Sequence, residues 1–194
     1  MRVGAFPSDG ISGYLKCHIT SPAHDMTVVG YIAEGSTGQL TNNWNSPFEG
    51  DSVGSMAGVS TVANIGQSKT GYTSVSKLNS EMIWEGTQAP SFQISLYFQA
   101  IRDAKLEVQD PIMCLMQMAS PMLNDVMPMG RIPSPCVLDI GRRFKVENLI
   151  IQDISYELDA PRTRDGYFTH NTVSLQCSAK QMLNANEVSN LFVP

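Results

Sequence analysis

Three histidines, four cysteines and a run of methionines are the side chains of this sequence best suited to hold a metal or attack a substrate. Their spacing argues against both roles. His18, His24 and His170 stand in unrelated segments, and Cys17, Cys114, Cys136 and Cys177 are scattered with no Cys-x-x-Cys pair. His18 next to Cys17 invites a metal reading, but neighbours on a strand point to opposite faces. The cysteines read as buried thiols in a reducing cytoplasm. No GxSxG, HExxH, EF-hand loop or paired-carboxylate spacing occurs. Asp159 and Asp165 flank a turn, which accounts for them. The Gly-rich stretch Gly50–Tyr72 has neither the Lys-Ser/Thr nor the GxGxxG spacing that cradles phosphate. The expectation is therefore no metal, no cofactor and no catalytic residue. Six of the eleven methionines lie between Met113 and Met129. They suit a pliable interface or a soft-metal site; packing of a helix and loop, with Met as gap filler, is the simpler account.

What remains is chemistry of contact. Trp44 and Phe48 are aromatic islands in a polar loop, either tucked into the loop's base or placed against a neighbouring subunit. Arg142, Arg143 and Lys145 form a basic cluster, too small for more than a weak, salt-sensitive nucleic-acid contact. A solvated strand edge or an acidic partner subunit suits them better. Gln93, Ser95 and Tyr97 alternate along a strand as its outward residues, uncharged and fit to meet another protein. Arg162 and Arg164 add charge to a polar turn and complete the interface candidates.

The elements that would position these residues are mostly strands. Ser91–Gln99 alternates cleanly, with Phe92, Ile94, Leu96 and Phe98 inward. Leu149–Leu158 places Ile154, Tyr156 and Leu158 on one face, and Thr169–Ser178 does the same with Val173, Leu175 and Cys177. Asp165-Gly166 suits a reversal between them. A short strand is expected around Tyr14–Ile19, another at Thr27–Ala33 with Gly30 a possible bulge, and another at Val137–Ile140 closed by Gly141. Gly35–Gly38 and Asn42–Gly50 read as loops. Asp110-Pro111 supplies an N-cap and a first-turn proline for a helix carrying Ile112, Leu115, Met116 and Ala119 to Ser120-Pro121. Asn184 or Asn186 caps a closing helix that buries Val188, Leu191 and Phe192.

At 194 residues the chain is one domain, expected over 1–194 with a polar insertion or loop region at about 34–80. The fold class is mainly β: an antiparallel barrel or sandwich with one central and one C-terminal short helix. A formal charge of −5 and a pI near 5.1 argue against a general nucleic-acid binder. Mean hydropathy of −0.10 and the lack of a long apolar run argue against a membrane span. Met1–Gly10 lacks the apolar stretch of a secretory signal. Between Cys17 and Ser68 there is no Lys or Arg, against the acids Asp25, Glu34, Glu49 and Asp51.

The C-terminal quarter, NLIIQDISYELDAPRTRDGYFTHNTVSLQCSAKQMLNANEVSNLF, has a specific wording. It is a strand ending in Ser-Tyr-x-x-Asp, an Asp-Gly turn, an alternating strand and a short helix ending in Phe. It resembles the C-terminal hairpin and closing helix of tail-tube-type proteins of contractile-tailed bacteriophages, above all the tube initiators that cap the baseplate hub. The resemblance implies a structural virion protein, assembled in the host cytoplasm. Its subunits join edge to edge in a ring, a hexamer, that stacks on hub or wedge proteins below and on tail tube protein above. It also implies a tail-tube-type barrel with the central helix outside the sheet, and genomic DNA as passing cargo in an acid-rich lumen. The long polar segment before Asn79 departs from that pattern, and the N-terminal half carries none of the family's wording. A wedge or hub adaptor of the same baseplate is the alternative. An unrelated small-ligand-binding β domain or enzyme, with a concave pocket, is the rival outside the family.

Overall fold

The computed structural model describes residues 1–6, 9–45, 81–124 and 129–194. The chain divides into two compact units, Met1–Leu40 with Ala89–Pro194, and Thr41–Gln88. The first holds strands β1 (Arg2–Gly4), β2 (Lys16–Ser21), β3 (Met26–Ile32) and β4 (Thr37–Gln39). The second contributes β5 (Asn42–Asn45) and β6 (Ile83–Thr87). The first unit resumes with β7 (Ser91–Gln99), α1 (Asp110–Ala119), β8 (Cys136–Ile140), β9 (Phe144–Tyr156), β10 (His170–Ala179) and α2 (Ala185–Val188).

The expected antiparallel architecture resolves to a barrel. Strands β3, β2, β8, β9, β10 and β7 pair in that order, and β3 closes on β7 through Tyr31–Tyr97 and Ile32–Leu96. β1 adds in parallel to β3 and β4 adds antiparallel to β7. Alternation explains the filling. Phe92, Ile94, Leu96 and Phe98 of β7 are all buried, and so are Val173, Leu175 and Cys177 of β10. Cys17 and Ile19 of β2 lie opposite Gly30 and Val28 of β3. Leu138, Val146 and Leu149 complete the interior. A barrel of so few strands has an interior just wide enough for side chains. The barrel interior is thus a packed core.

Two local expectations need correction. Gly30 makes no bulge, for β2 and β3 keep continuous register through it. Its lack of a side chain instead makes room for Phe98, whose Cε1 would lie 3.0 Å from a Cβ at that position. Thr37–Gln39 is a strand rather than part of a loop; Gly38 pairs with Phe92, where a Cβ would meet the Phe92 ring at 3.3 Å. The bulges of the barrel fall on β9. Ile151 pairs with Cys177 but Asp153 with Gln176, so Gln152 is the extra residue. A second shift lies between Val146 and Leu149, where Asn148 takes φ 56°. The inward spacing Leu149, Ile151, Ile154 records the first of these bulges in the sequence.

The central helix starts earlier than Asp110-Pro111 suggests. A π-helical turn, Lys105–Gln109, leads into α1, and Asp110 and Pro111 are buried within the continuous helix. The capping groups are Asp103, whose Oδ1 accepts from the Lys105 and Leu106 N–H groups, and Glu107, whose Oε2 accepts from Arg102 and Asp103 N–H. Val108, Ile112, Leu115 and Met118 form the buried stripe, whereas Met116 is 43% exposed. The helix touches both β3 and β9. These strands stand three apart in a ring of six, on opposite walls, so α1 crosses one mouth of the barrel. It does not lie on the outside of the sheet.

At the C-terminus, Asn184 caps α2 as expected, with its own N–H donating to Glu187 Oε2 at 2.9 Å. Val188 and Phe192 are exposed, not buried, and Leu191 is half-buried. A helix of one turn presents too narrow a face to bury all three. Phe192 instead sets its ring edge-on to Phe144, 5.4 Å between centroids.

Candidate functional site

In the second unit, β5 and β6 pair antiparallel as a ribbon. The expected loop Asn42–Gly50 is therefore a strand over Asn42–Asn45. Trp44 lies directly opposite Trp84, with Glu85 accommodated as a bulge beside them. Opposed residues share a face, so the two indoles sit side by side, 53% and 52% exposed. Ile83 and Met82 are also half exposed. Glu85 accepts from Asn45 Nδ2 at 2.6 Å. Trp84 was not singled out by the sequence; its signal was the apolar run Met82–Trp84. Phe48 lies outside the described residues.

Of the three outward residues on β7, Gln93 is exposed and Tyr97 half-buried, its ring tilted 6.2 Å from His170. Ser95 is buried, against expectation. Its N–H donates to Ser36 Oγ at 3.0 Å, and its carbonyl accepts from Ala33 N–H at 2.9 Å. β3 leaves β7 after Ile32 and β4 joins at Gln93, so the connection between them folds over Ser95.

The basic residues divide between the two ends of β9. Arg142 and Arg143 sit in the β8–β9 turn, Arg142 with φ 55° and its N–H donating to Asp139 Oδ1. The Arg143 guanidinium lies over the Tyr14 ring, 5.9 Å from its centroid. Lys145 is neutralised by Glu147 at 2.7 Å. That hydrogen bond raises the lysine pKa and lowers the glutamate's. Beyond the far end of β9, Arg162 stacks on Phe168 at 4.2 Å and donates to the Gly166 and Leu158 carbonyls. Arg164 is exposed in the same connection. The five cations do not form one patch.

Folding assembles one charged group the sequence does not advertise. Lys16 Nζ meets Asp9 at 2.7 Å and donates to the Phe6 carbonyl, while Tyr31 Oη donates to Asp9 Oδ2 at 2.6 Å. The Lys16 and Asp9 side chains are 4% and 3% exposed. Burial pushes the Asp9 carboxyl up, but bonds from Lys16, Tyr31 and the Ile11 N–H outweigh it and hold its pKa below the usual range. The network ties the N-terminal segment to β2 and β3. Nearby, burial lowers the pKa of His18, whose Nδ1 has no hydrogen-bond partner among the described residues.

The cysteines are free and buried; burial raises Cys17 far above the usual thiol range and Cys177 to about 12. Such thiols are poor nucleophiles and poor ligands. Among the described residues no group of three or more His, Cys, Asp and Glu converges as a metal site. A groove of about 460 Å³ runs between α1 and the β9–β10 connection, floored by Met113, Met116, Leu158 and Phe168 with Arg162 at its side. No helix among the described residues is long and apolar enough to cross a membrane. Comparison with known protein families finds no match, and comparison with curated proteins finds none either.

Proposed function

We propose that this chain is a structural protein of a contractile phage tail, forming a ring that joins the baseplate hub to the tail tube and templates tube assembly. The observation that carries the reading is the ribbon. Trp44 and Trp84, on one face of the ribbon and each about half exposed, form an apolar surface that a chain acting alone has no reason to keep in water. The filled barrel beside it in the sequence supports a scaffold role, because its interior leaves no room for cargo or substrate. The wording of the C-terminal hairpin supplies the family. In this reading the partners are further copies of the chain, tail tube protein and hub or wedge proteins, with DNA passing through the ring.

The deciding experiment is the mass and shape of the purified protein, by light scattering and negative-stain imaging, alone and mixed with tail tube protein from the same source. Rings with a central hole, or rings formed only on mixing, are the expected outcome. A compact monomer indifferent to tube protein at high concentration sinks the reading. It would favour the ligand-binding alternative, for which the α1 groove and a larger hollow of about 610 Å³ lined by Lys145, Met182 and Leu191 are the places to search.

A further inference from the structure

The fold brings together three pieces of chain that are far apart in sequence, at the barrel end opposite α1. Tyr14 and Leu15 come from the turn before β2, Arg142 and Arg143 from the β8–β9 turn, and Phe192 from the C-terminal segment. Their contacts are explicit. Arg143 lies over Tyr14, the Arg142 Nε would stand 3.5 Å from a Cβ on Gly13, and the Val193 N–H donates to the Arg143 carbonyl at 2.8 Å. Tyr14, Leu15 and Phe192 are each about 60% exposed, at 62%, 61% and 62%. Neither arginine makes an ion pair among the described residues, whereas Lys145 next to them does. Exposed Tyr, Phe and unpaired Arg in one cluster is the composition of an interface centre.

The ribbon has the complementary chemistry. Its described residues, 41–45 and 81–88, include Glu81 and Glu85 and no Lys or Arg. Trp44 and Trp84 offer two indole faces, the best partners for a guanidinium. Both surfaces are exposed in the chain as it stands.

We propose that the acidic, tryptophan-bearing ribbon of one copy docks on the Tyr14–Arg142–Arg143–Phe192 surface of the next. This inference rests on the reading of the chain as a self-assembling structural protein and specifies the contact. Because the two surfaces differ, the interface is heterologous, and repetition gives either a closed ring or an open stack. Charge across it speeds association and makes it sensitive to salt.

The test uses the full chain and sedimentation velocity at low and high salt, with thermal melts to verify folding. The patch variant is Arg142→Glu with Arg143→Glu; the ribbon variant is Glu81→Arg with Glu85→Arg. All four positions are exposed, so the melts should match wild type. Each variant alone should self-associate roughly thirtyfold more weakly, or worse, than wild type. An equimolar mixture should recover association, since each reversed surface now faces its opposite on the other variant. If a reversal variant fails to fold, the Arg→Gln and Glu→Gln pairs at the same positions carry the first arm. Variants that associate like wild type, or a mixture as dissociated as its parts, overturn the inference and leave the assembly reading standing. Wild type that stays monomeric alone yet binds tube protein does the same. Wild type that does neither overturns both.

Discussion

The barrel and the ribbon are built from the same kind of strand and meet opposite fates. Both are antiparallel, and both place large aromatic residues on one face. In the barrel, Phe92 and Phe98 are 7% and 1% exposed; in the ribbon, Trp44 and Trp84 keep about half their surface, 53% and 52%. The difference is closure. Six strands that return on themselves leave their inward residues no contact with water. Among the described residues, the two strands of the ribbon have no second layer over their apolar face, and such ribbons are marginal in water by themselves. The aromatic residues of the barrel therefore stabilise the fold, and those of the ribbon are available to a partner.

The same contrast recurs in two lysine–carboxylate pairs with one distance, 2.7 Å. Lys16–Asp9 is closed off from solvent, while Lys145–Glu147 lies on the surface, its side chains 45% and 67% exposed. Burial makes the first pair costly to break, and solvent screening makes the second nearly silent.

The largest effect should come from the barrel core. Phe98→Ala removes a fully buried ring and leaves a cavity beside Gly30 and Leu96, with an expected loss of about 3–5 kcal/mol. Urea denaturation measures it as a lower midpoint at constant slope, and a loss below about 1 kcal/mol would break the comparison at its root.

Next is Asp9→Ala, which strands Lys16 without its counter-charge and should cost about 3 kcal/mol. The pH dependence sharpens this. The folded Asp9 carboxyl titrates below its unfolded value of about 3.9, so its contribution is fully present above that pH. It is lost as pH falls through the lower, folded value. Wild type and Asp9→Ala stabilities should therefore converge in acid and stay apart at neutral pH, as read from denaturation curves across the acid range.

Gly30→Ala should cost about 1–3 kcal/mol, because the added methyl presses on Phe98, which is itself enclosed. A melt unchanged from wild type would mean that the ring can yield.

At the small end, Trp84→Ala should change monomer stability by at most about 1 kcal/mol, the scale of a cross-strand pair, while reducing assembly strongly. Lys145→Ala should leave the melt unmoved. A Trp84 variant that unfolds the monomer would place the ribbon with the barrel, as part of the fold's own support.

Some of this was legible residue by residue. β7 and β10 read correctly because the period of two is a local property of the pleat, carried by Phe92–Phe98 and Val173–Cys177. The Asn184 cap was legible for the same reason: a capping box closes within three residues. α1 was displaced because Asp110-Pro111 imitates a start signal, while the groups that satisfy the first turn, Asp103 and Glu107, lie seven and three residues earlier. Of the interface candidates, Gln93 is exposed as the alternation suggests, and Trp44, read as an aromatic island in a loop, is exposed on a strand, whereas Ser95 is covered by a serine 59 residues away in sequence.

The sequence by itself determined the long alternating strands β7, β9 and β10, which of their faces are apolar and the Asn184 cap, since each depends on neighbours a few residues apart; β4, β5 and the first turn of the central helix it did not show. Only the tertiary structure decided that β3 closes on β7, that Asp9 finds Lys16 and Tyr31, and that Tyr14, Arg143 and Phe192 meet at one barrel end. It also decided that Arg162 and Arg164 stand at the other end of β9, and that Trp84 faces Trp44. Each of these joins residues whose separation along the chain carries no periodic signal. The pairing is selected by closing the sheet around a core that shuts out water, a condition on the whole chain.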